Sequence, residues 1–220
     1  DMIQIYNQDC MTAMETMPNN AFDLAIVDPP YGIHDSLITT DKGLNQSNKF
    51  ALKYMEKNWD TRRPDKKYFI ELQRVSRHQI IWGGNYFADL LPPSRAWICW
   101  DKKQDNFTCV NNELAWTSFN KALNMFRRDH GLDNGFMIKR AVDERIHPTQ
   151  KPVALYKWLL SKYAKKGWVI LDTHLGSGSS AIAAHDMAFN FVGYELDKDY
   201  YQDALKRLHR HQRQLRLFVD

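Results

Sequence analysis

Apolar and polar positions change their period within the last third of the chain. Residues 168–172 form an apolar run that ends in an aspartate and predicts a buried strand, and a glycine-rich turn at 176–178 follows it. Small and apolar residues over 179–187 then predict a helix, and the apolar run at 190–195 predicts another strand. Together these segments predict a strand–helix–strand unit whose two strands are parallel.

The same alternation of elements extends over the rest of the chain. The run at 23–27 predicts a strand that stops at Asp-Pro-Pro-Tyr (28–31), because two consecutive prolines cannot continue a sheet. Apolar residues at helical spacing predict helices over 64–75 and 152–164, and shorter apolar runs predict strands at 78–82, 96–100 and 113–117. Because strands and helices alternate, we expect a single α/β domain over 1–220, with a mostly parallel sheet and helices on both faces.

Three segments are more polar and less regular. Residues 32–60 are rich in Asn, Lys, Asp and Thr, which is typical of an active-site loop or lid and equally of a disordered segment. Basic and aromatic residues interleave over 118–146, as in a nucleic-acid-facing insertion or an ordinary surface excursion. Near the C-terminus, basic residues at helical spacing form either a polyanion contact or a solvated helix face: Lys206, Arg207, Arg210, Arg213 and Arg216.

Composition and charge exclude several classes of protein. Apolar residues make up 44% of the chain and charged residues 25%, as in globular domains and unlike disordered or fibrous chains. No apolar run is long enough to span a membrane, and the first residues carry no apolar leader, so we expect a soluble, cytoplasmic protein. The net charge of +4 permits a polyanionic partner. Neither the three cysteines nor the eight histidines have the spacing of a metal site, so we expect no metal.

The glycine-rich turn is the first candidate binding site. The sequence D-T-H-L-G-S-G-S-S-A, which begins at Asp172, places a tight glycine loop between a strand and a helix N-terminus, and this arrangement cradles adenosine-type ligands. The spacing of Gly176, Gly178 and Ala181, with the acidic Glu195 further along, also fits a dinucleotide-binding oxidoreductase. A strand-to-helix turn that binds nothing would have the same pattern.

The Asp-Pro-Pro-Tyr turn is the second candidate site, and its residue types suit a planar ring that carries an amine. Asp28 can accept a hydrogen bond from the amine, Pro29 offers a free carbonyl group, and Tyr31 can stack on the ring. Two acceptors would favour a pyramidal nitrogen whose lone pair faces an electrophile. These residues would also serve as a strand-terminating turn with no chemistry of its own.

The order of the two motifs resembles that of the beta-class amino DNA methyltransferases, and the resemblance spans nearly the whole chain. D-P-P-Y comes early and D-x-x-x-G-x-G comes late, so the catalytic motif precedes the cofactor motif in a circularly permuted order. The stretches N-Q-D-C at 7–10 and H-P-T-Q-K-P at 147–152 match two further elements of the family. The segments W-G-G-N-Y-F at 82–87 and W-D-K at 100–102 look like parts of phage-type and restriction-associated members.

This resemblance implies a Rossmann-like methyltransferase fold, a short target-recognition insertion within 118–146, and S-adenosyl-L-methionine as the cofactor. The implied catalytic residues are Asp28, Pro29, Pro30 and Tyr31. The implied cofactor-binding residues are Asp9, Cys10, Thr149, Lys151, Asp172, Thr173, Gly176, Ser177, Gly178, Glu195 and Leu196. Among them, Asp9 would lie beside the cofactor's adenine and Glu195 would hold its ribose, while Asp172 and the glycine turn would hold its methionine end.

The chain departs from the family pattern in two places. Thr173-His174-Leu175 follows Asp172 where Pro-Phe is common, so the wall near the methionine end is expected to differ. Gln8 stands where glycine is usual, so the backbone path beside the cofactor is expected to differ too.

The implied activity is direct methyl transfer to the exocyclic amine of a base flipped out of double-stranded DNA. In the family, D-P-P-Y accompanies mainly adenine N6 and S-P-P-Y mainly cytosine N4, so we expect adenine, with cytosine N4 as the alternative. Ring-carbon methylation is excluded because it uses a cysteine that usually follows proline, whereas the cysteines here follow Asp9, Ile98 and Thr108. RNA or protein-glutamine methylation and an inactive DNA-binding subunit are further alternatives. Because beta-class relatives often dimerise, a homodimer that acts on bacterial or phage DNA is one expected assembly.

We expect the 118–146 segment to contribute phosphate contacts. Replacing Arg127, Arg128 and Lys139 with alanine should weaken DNA binding and flatten the dependence of log affinity on log salt concentration, because fewer counterions are then released. Binding titrations over a series of salt concentrations measure this slope. An unchanged slope would show that these residues make no phosphate contacts and that the segment is not part of the DNA interface.

Overall fold

The computed structural model describes residues 2–33, 60–103, 112–127, 146–147 and 149–215. Its central element is one mixed sheet. The strands of this described part are β1 (Ile3–Asn7), β2 (Phe22–Val27), β3 (Ser76–Trp82), β4 (Trp97–Asp101), β5 (Asn112–Thr117), β6 (Asn124–Arg127), β7 (Val169–Asp172) and β8 (Asn190–Glu195). Their spatial order is β1-β8-β7-β2-β3-β5-β4-β6. Strand β5 is antiparallel to β3 and β4, and the other adjacent pairs are parallel, which confirms the predicted mostly parallel sheet.

Helices pack on both faces of this sheet. Those in the described residues are α1 (Cys10–Glu15), α2 (Lys66–Val75), α3 (Val153–Tyr163), α4 (Ser179–Asp186) and α5 (Lys198–Leu215), and a short 3₁₀ turn spans Gly84–Tyr86. Helix α2 begins where the sequence predicts, because the Asp65 carboxylate accepts a hydrogen bond from the backbone N–H of Tyr68 at 3.1 Å. None of the described helices has the length and apolar character that a membrane span needs.

Strand β2 shows why the sheet is buried on both sides. Its alternate residues Leu24 and Ile26 join the core formed with α3 and α4, while Ala25 and Val27 join the core formed with α1 and α2. All four are at most 1% exposed. Burying a leucine or isoleucine side chain contributes about 1.5–3 kcal/mol, so this central strand holds both layers to the sheet.

The two predicted sites lie at one edge of the sheet. Strands β2 and β7 are neighbours in parallel register, with Leu24 opposite Ile170 and Ala25 opposite Leu171. From β2 the chain continues to β3 on one side, and from β7 it continues to β8 on the other. Ligands of open α/β sheets bind at such a switch point, outside the carboxyl ends of the strands. The segments that follow Val27 and Leu171 therefore meet in one crevice.

Among the elements of the described residues, the prediction lacked β1, α1, β6, the 3₁₀ turn and the start of α5. Strand β1 is an edge strand with a mixed burial pattern, and β6 at the opposite edge leaves Met125 48% exposed, so neither has a continuous apolar run. Helix α1 has six residues, too few for a helical period to stand out. The boundaries of the other strands and of α2 to α4 agree with their predicted ranges to within two residues, whereas α5 begins eight residues before the basic segment that indicated it.

The C-terminal basic residues do not share one surface. Arg207 is buried, and its guanidinium donates hydrogen bonds to the carbonyl oxygen of Ser177 at 2.6 Å and to Ser179 Oγ at 3.0 Å. The expectation that Arg207 belongs to an exposed basic face is therefore wrong, because this side chain supports the glycine turn. Lys206, Arg210 and Arg213 are exposed, and Arg216 lies outside the described residues.

Much of two polar segments also lies outside the described residues. These ranges are 34–59 and 128–145, so the predictions made for the loop and for most of the insertion, including Arg128 and Lys139, are not addressed by the structure. The described part of the insertion contains β6. There Arg127 pairs with Asp101, with 2.7 Å between Arg127 Nε and Asp101 Oδ2.

Candidate active site

Two cavities open at the carboxyl edge of the sheet and share part of their walls. The glycine-loop cavity has a volume of about 440 Å³ and is bordered by Asp9, Gly176, Ser177 and Glu195, among others. The Tyr31 cavity has a volume of about 480 Å³ and is bordered by Pro29, Tyr31, Tyr86 and Glu113, among others. Asp28, Pro30 and Thr149 line both cavities. The structure therefore brings the two predicted sites together at Asp28.

Glu195 shapes the glycine loop through its two carboxylate oxygens. Oε2 accepts a hydrogen bond from the backbone N–H of Gly176 at 2.8 Å, and Oε1 accepts one from Asp197 at 2.9 Å. Gly176 has φ +52°, a left-handed conformation that glycine adopts without a steric penalty. Burial raises the pKa of Glu195 above its usual value, and the backbone donors oppose that rise.

Asp172 and Gly178 support the loop from behind. Asp172 is 2% exposed; its Oδ2 accepts a hydrogen bond from Ser180 Oγ at 2.6 Å, and its Oδ1 accepts one from the His174 backbone at 3.0 Å. Burial raises the pKa of Asp172 to about 7. Gly178 precedes α4, where an added Cβ would lie 3.3 Å from that of Ala204. Neither residue belongs to the described lining of the glycine-loop cavity, whereas the other predicted cofactor-binding residues do.

Asp9 and Cys10 line the cavity at the start of α1. The Asp9 carboxylate caps this helix and accepts hydrogen bonds from the backbone of Met11 at 3.1 Å and of Thr12 at 3.4 Å. Burial raises the pKa of Cys10 to about 12. Its thiol is therefore protonated at neutral pH and is not an activated nucleophile, in keeping with the exclusion of covalent cysteine chemistry.

The segment after Asp172 builds the wall that departs from the family pattern. Thr173 Oγ1 lies 2.7 Å from the Tyr68 hydroxyl and 2.9 Å from His174 Nδ1, so three side chains form one hydrogen-bonded chain. Burial lowers the pKa of His174 to about 4. The cavity wall at this point is therefore a neutral imidazole held by a buried threonine.

Asp28 lies between a phenol and an ammonium group. Its Oδ1 accepts a hydrogen bond from the Tyr31 hydroxyl at 2.6 Å, and its Oδ2 accepts one from Lys151 Nζ at 2.6 Å. Lys151 Nζ also lies 2.9 Å from Oε2 of Glu113. Lys151 borders the glycine-loop cavity, as predicted for a cofactor contact, but its ammonium group is directed to the two carboxylates.

Tyr31 is held by its ring and by its backbone. The ring stacks on Tyr86, with 4.9 Å between centroids and 16° between planes. The backbone N–H groups of Tyr31 and Gly32 donate to the buried Asp60 carboxylate at 2.6 and 2.9 Å. The aromatic wall of the Tyr31 cavity is therefore fixed before any ligand arrives.

The sequence prediction missed several residues that line the cavities. In the glycine-loop cavity these include His147, Gln150, Tyr156, His174 and Tyr200, and in the Tyr31 cavity they include Asp60, Tyr86, Lys102 and Glu113. His147 and Gln150 belong to H-P-T-Q-K-P, and Tyr86 and Lys102 belong to W-G-G-N-Y-F and W-D-K, so the motifs themselves were the available signal. Glu113 had no local signal beyond its place in a predicted strand.

Potential metal ligands gather away from these cavities, at the end of α4. His185, Asp186 and His211 bring ligand atoms within 4.8 Å of one another, but Lys157 Nζ already lies 2.5 Å from Asp186 Oδ2. The expected absence of a metal stays a prediction.

Comparison with known proteins relates this geometry to a family. The sequence model of a family described as DNA methylase matches residues 93–206. The Type II methyltransferase M.HpaI of Haemophilus parainfluenzae is 22% identical over 91% of this chain and 72% of its own length. The Type II methyltransferase M.HinfI of Haemophilus influenzae is 26% identical over 93% of this chain and 67% of its own length.

Solved structures share the fold at lower sequence identity. The M1.HpyAVI–SAM complex superposes with a TM-score of 0.60 at 19% identity, over 94% of this chain and 99% of that one. The cytosine-N4-specific PvuII DNA methyltransferase superposes with a TM-score of 0.59 at 11% identity, over 94% of this chain and 89% of that one. The predicted Rossmann-like methyltransferase fold is thereby confirmed.

Gly83 sets the position of Tyr31, and this can be tested by substitution. An alanine Cβ at Gly83, where φ is +70°, would lie 2.2 Å from the Tyr31 ring, whereas one at Gly167, where φ is +86°, meets no atom within 4 Å. Gly167→Ala should lower the free energy of unfolding by about 1–2 kcal/mol, the cost of left-handed backbone alone. Gly83→Ala should lower it further because the ring must also move. Urea unfolding of both variants measures the difference, and equal losses would contradict the close contact.

Proposed function

This chain belongs to the N6/N4 family of DNA methylases, and from that premise we propose that it transfers the methyl group of S-adenosylmethionine to the N6 amine of adenine in double-stranded DNA. The observation that carries the proposal is the pair of cavities that meet at Asp28. One cavity has the features of a nucleoside-cofactor site and the other those of a site for a planar ring. A methyl donor and an acceptor amine bound in them would meet at a single carboxylate.

The glycine-loop cavity fits S-adenosylmethionine by the chemistry of its lining. Carboxylates border it at Asp9, Asp28, Glu195 and Asp197, and the cofactor carries a sulfonium, an ammonium group and ribose hydroxyls that carboxylates attract or accept hydrogen bonds from. Ser177 and the Gly176 backbone would face the methionine end, Glu195 the ribose, and Asp9 the adenine. When bound, the cofactor supplies an electrophilic methyl group, and no metal is needed.

The Tyr31 cavity fits an extruded base. An enzyme that acts on an exocyclic amine must take the base out of the duplex and hold it by stacking and by hydrogen bonds to its edge. Tyr31 and Tyr86 supply an aromatic wall, while Asp28 and the Pro29 carbonyl supply two acceptors for the amine. Held by these acceptors, the amine nitrogen would direct its lone pair toward the glycine-loop cavity. It would bond to the methyl carbon as the carbon–sulfur bond breaks, which leaves a neutral thioether, and it would lose one proton to solvent.

Adenine is proposed over cytosine on the resemblance of D-P-P-Y to the adenine-N6 members. The two bases present the same amine to Asp28, so the likeness of the fold to a cytosine-N4-specific enzyme leaves N4 transfer as the second candidate. The 118–146 segment is proposed as the DNA-recognition region, and a homodimer as the assembly that would enlarge the contact with DNA.

Product analysis tests the function directly. Transfer of labelled methyl from S-adenosylmethionine to unmethylated genomic DNA, followed by mass spectrometry of the nucleosides, should yield N6-methyladenine. If N4-methylcytosine forms instead, the proposed reaction is correct but the target base is cytosine. Measurable cofactor binding without any methylated nucleoside would reject DNA amine methylation by this chain alone.

Asp28→Ala should separate catalysis from cofactor binding. Methyl transfer in a single turnover should fall about 10²-fold or more, because the amine loses its carboxylate acceptor, while the affinity for S-adenosylmethionine changes little. Asp203→Ala, which removes a half-buried carboxylate from α5, is the matched control and should retain activity. Full activity of Asp28→Ala would exclude the assigned role, and calorimetric titration with the cofactor checks the binding.

A further inference from the structure

The strongest unexplained feature of the site is a fully buried lysine between two carboxylates. The Lys151 side chain is 2% exposed, and its Nζ lies 2.6 Å from Asp28 Oδ2 and 2.9 Å from Glu113 Oε2. Lys102 Nζ lies 2.5 Å from the other oxygen of Glu113. Asp28, Lys151, Glu113 and Lys102 therefore alternate in charge along one chain of contacts.

Four separate segments of the fold bring these charges together. Asp28 follows β2, Lys151 precedes α3, Glu113 is on the antiparallel strand β5, and Lys102 follows β4. Removing an ammonium ion from water costs several kcal/mol, and paired carboxylates offset that cost only with good geometry. Because an apolar residue would often stabilise such a position equally well, the buried charge itself calls for an explanation.

The electrostatic effects on Asp28 oppose one another. The pKa of Asp28 is raised overall, because burial outweighs the Lys151 ammonium, which lowers it, and the Glu113 carboxylate adds to the rise. Despite its burial, Lys151 has a raised pKa because Asp28 and Glu113 stabilise its charge. The two lysines hold the pKa of Glu113 at about 2, against the effect of its burial. Other titratable groups that act on Asp28 or sense its charge are Tyr31, Asp60, Tyr68, Tyr156 and Asp172.

We propose that Lys151 is a positioning residue that keeps Asp28 ionised and fixes its Oδ2, and that Glu113 moderates this effect by sharing the ammonium group. The inference rests on the proposed methyl transfer and deepens it. Asp28 must be ionised to accept a hydrogen bond strongly from the base amine. A lysine that paired with Asp28 alone would withdraw electron density from the same carboxylate and make it a weaker acceptor. Sharing the ammonium with Glu113 keeps Asp28 both charged and basic.

The pH dependence of kcat distinguishes this role from simple structural support. At saturating cofactor and DNA, protonation of Asp28 produces the acid limb of the profile. Lys151→Met removes the cation, so the acid limb should move to higher pH by about 1–3 units. Glu113→Gln removes the competing anion and leaves the ammonium to Asp28, so the limb should move to lower pH. A residue that only supports the fold would lower the plateau without moving the limb in opposite directions.

Two further variants and one binding measurement act as controls. Lys157→Met is the same substitution at a lysine of α3 that pairs with Asp186 and not with Asp28. It should leave the pH of the acid limb unchanged. Lys151→Arg keeps the positive charge and should restore a limb close to that of the unmodified protein. The dissociation constant for S-adenosylmethionine should change less than kcat in Lys151→Met, whereas a loss confined to cofactor affinity would overturn the positioning role.

The outcomes separate this inference from the proposed function. If the unmodified protein methylates DNA but Glu113→Gln and Lys151→Met move the limb in the same direction, or not at all, the positioning role is wrong. If Lys151→Met does not fold, Glu113→Gln decides alone: a downward shift supports the role, and an unchanged or raised limb overturns it. Absence of any methylated product from the unmodified protein would instead count against the proposed function.

Discussion

The parallel pairing of β2 with β7 is the constraint on which the site depends. Both strands contribute to the cores on the two faces of the sheet, so their register is fixed by apolar burial on each side. Once they are neighbours, the segments that follow them must leave from the same edge. Because the chain continues in opposite directions from these strands, a crevice opens between the two segments, and Asp28 lies where its two cavities meet.

Buried and half-buried carboxylates at this edge have two different kinds of hydrogen-bond partner. Asp60, Asp172 and Glu195 accept hydrogen bonds from backbone N–H groups and thereby hold the loops that form the cavity walls. Asp28 instead accepts from two side chains, the Tyr31 hydroxyl and the Lys151 ammonium. A hydroxyl group can turn its O–H away from Oδ1 when a donor ligand arrives, while the Tyr31 ring and the loops stay in place. This difference is consistent with the role proposed for Asp28, as the acceptor of a base amine, and with the observed role of the other three carboxylates in shaping the site.

The local sequence predicts the position of each main element because the spacing of apolar residues indicates which side chains are buried. Strand β2 and helices α2 to α4 have strong apolar patterns, and their predicted boundaries agree with the structure. The edge strands β1 and β6 face solvent for much of their length and carry no such pattern. Residue types in the two motifs also indicated a cofactor turn and an amine-binding turn, and their order indicated the family that the chain matches.

The sequence by itself determined the main apolar elements, the two motifs and the class of chemistry, because these depend on residues close together in the chain. Tertiary structure decided which side chains complete the site. Lys151 reaches Asp28 across 123 positions, and Glu113 joins them from a strand whose local pattern marked it only as part of the sheet. Arg207 likewise has the spacing of a surface residue but supports the glycine turn. No local period encodes such pairs, because their free energy arises only when distant segments exclude water from the same few atoms.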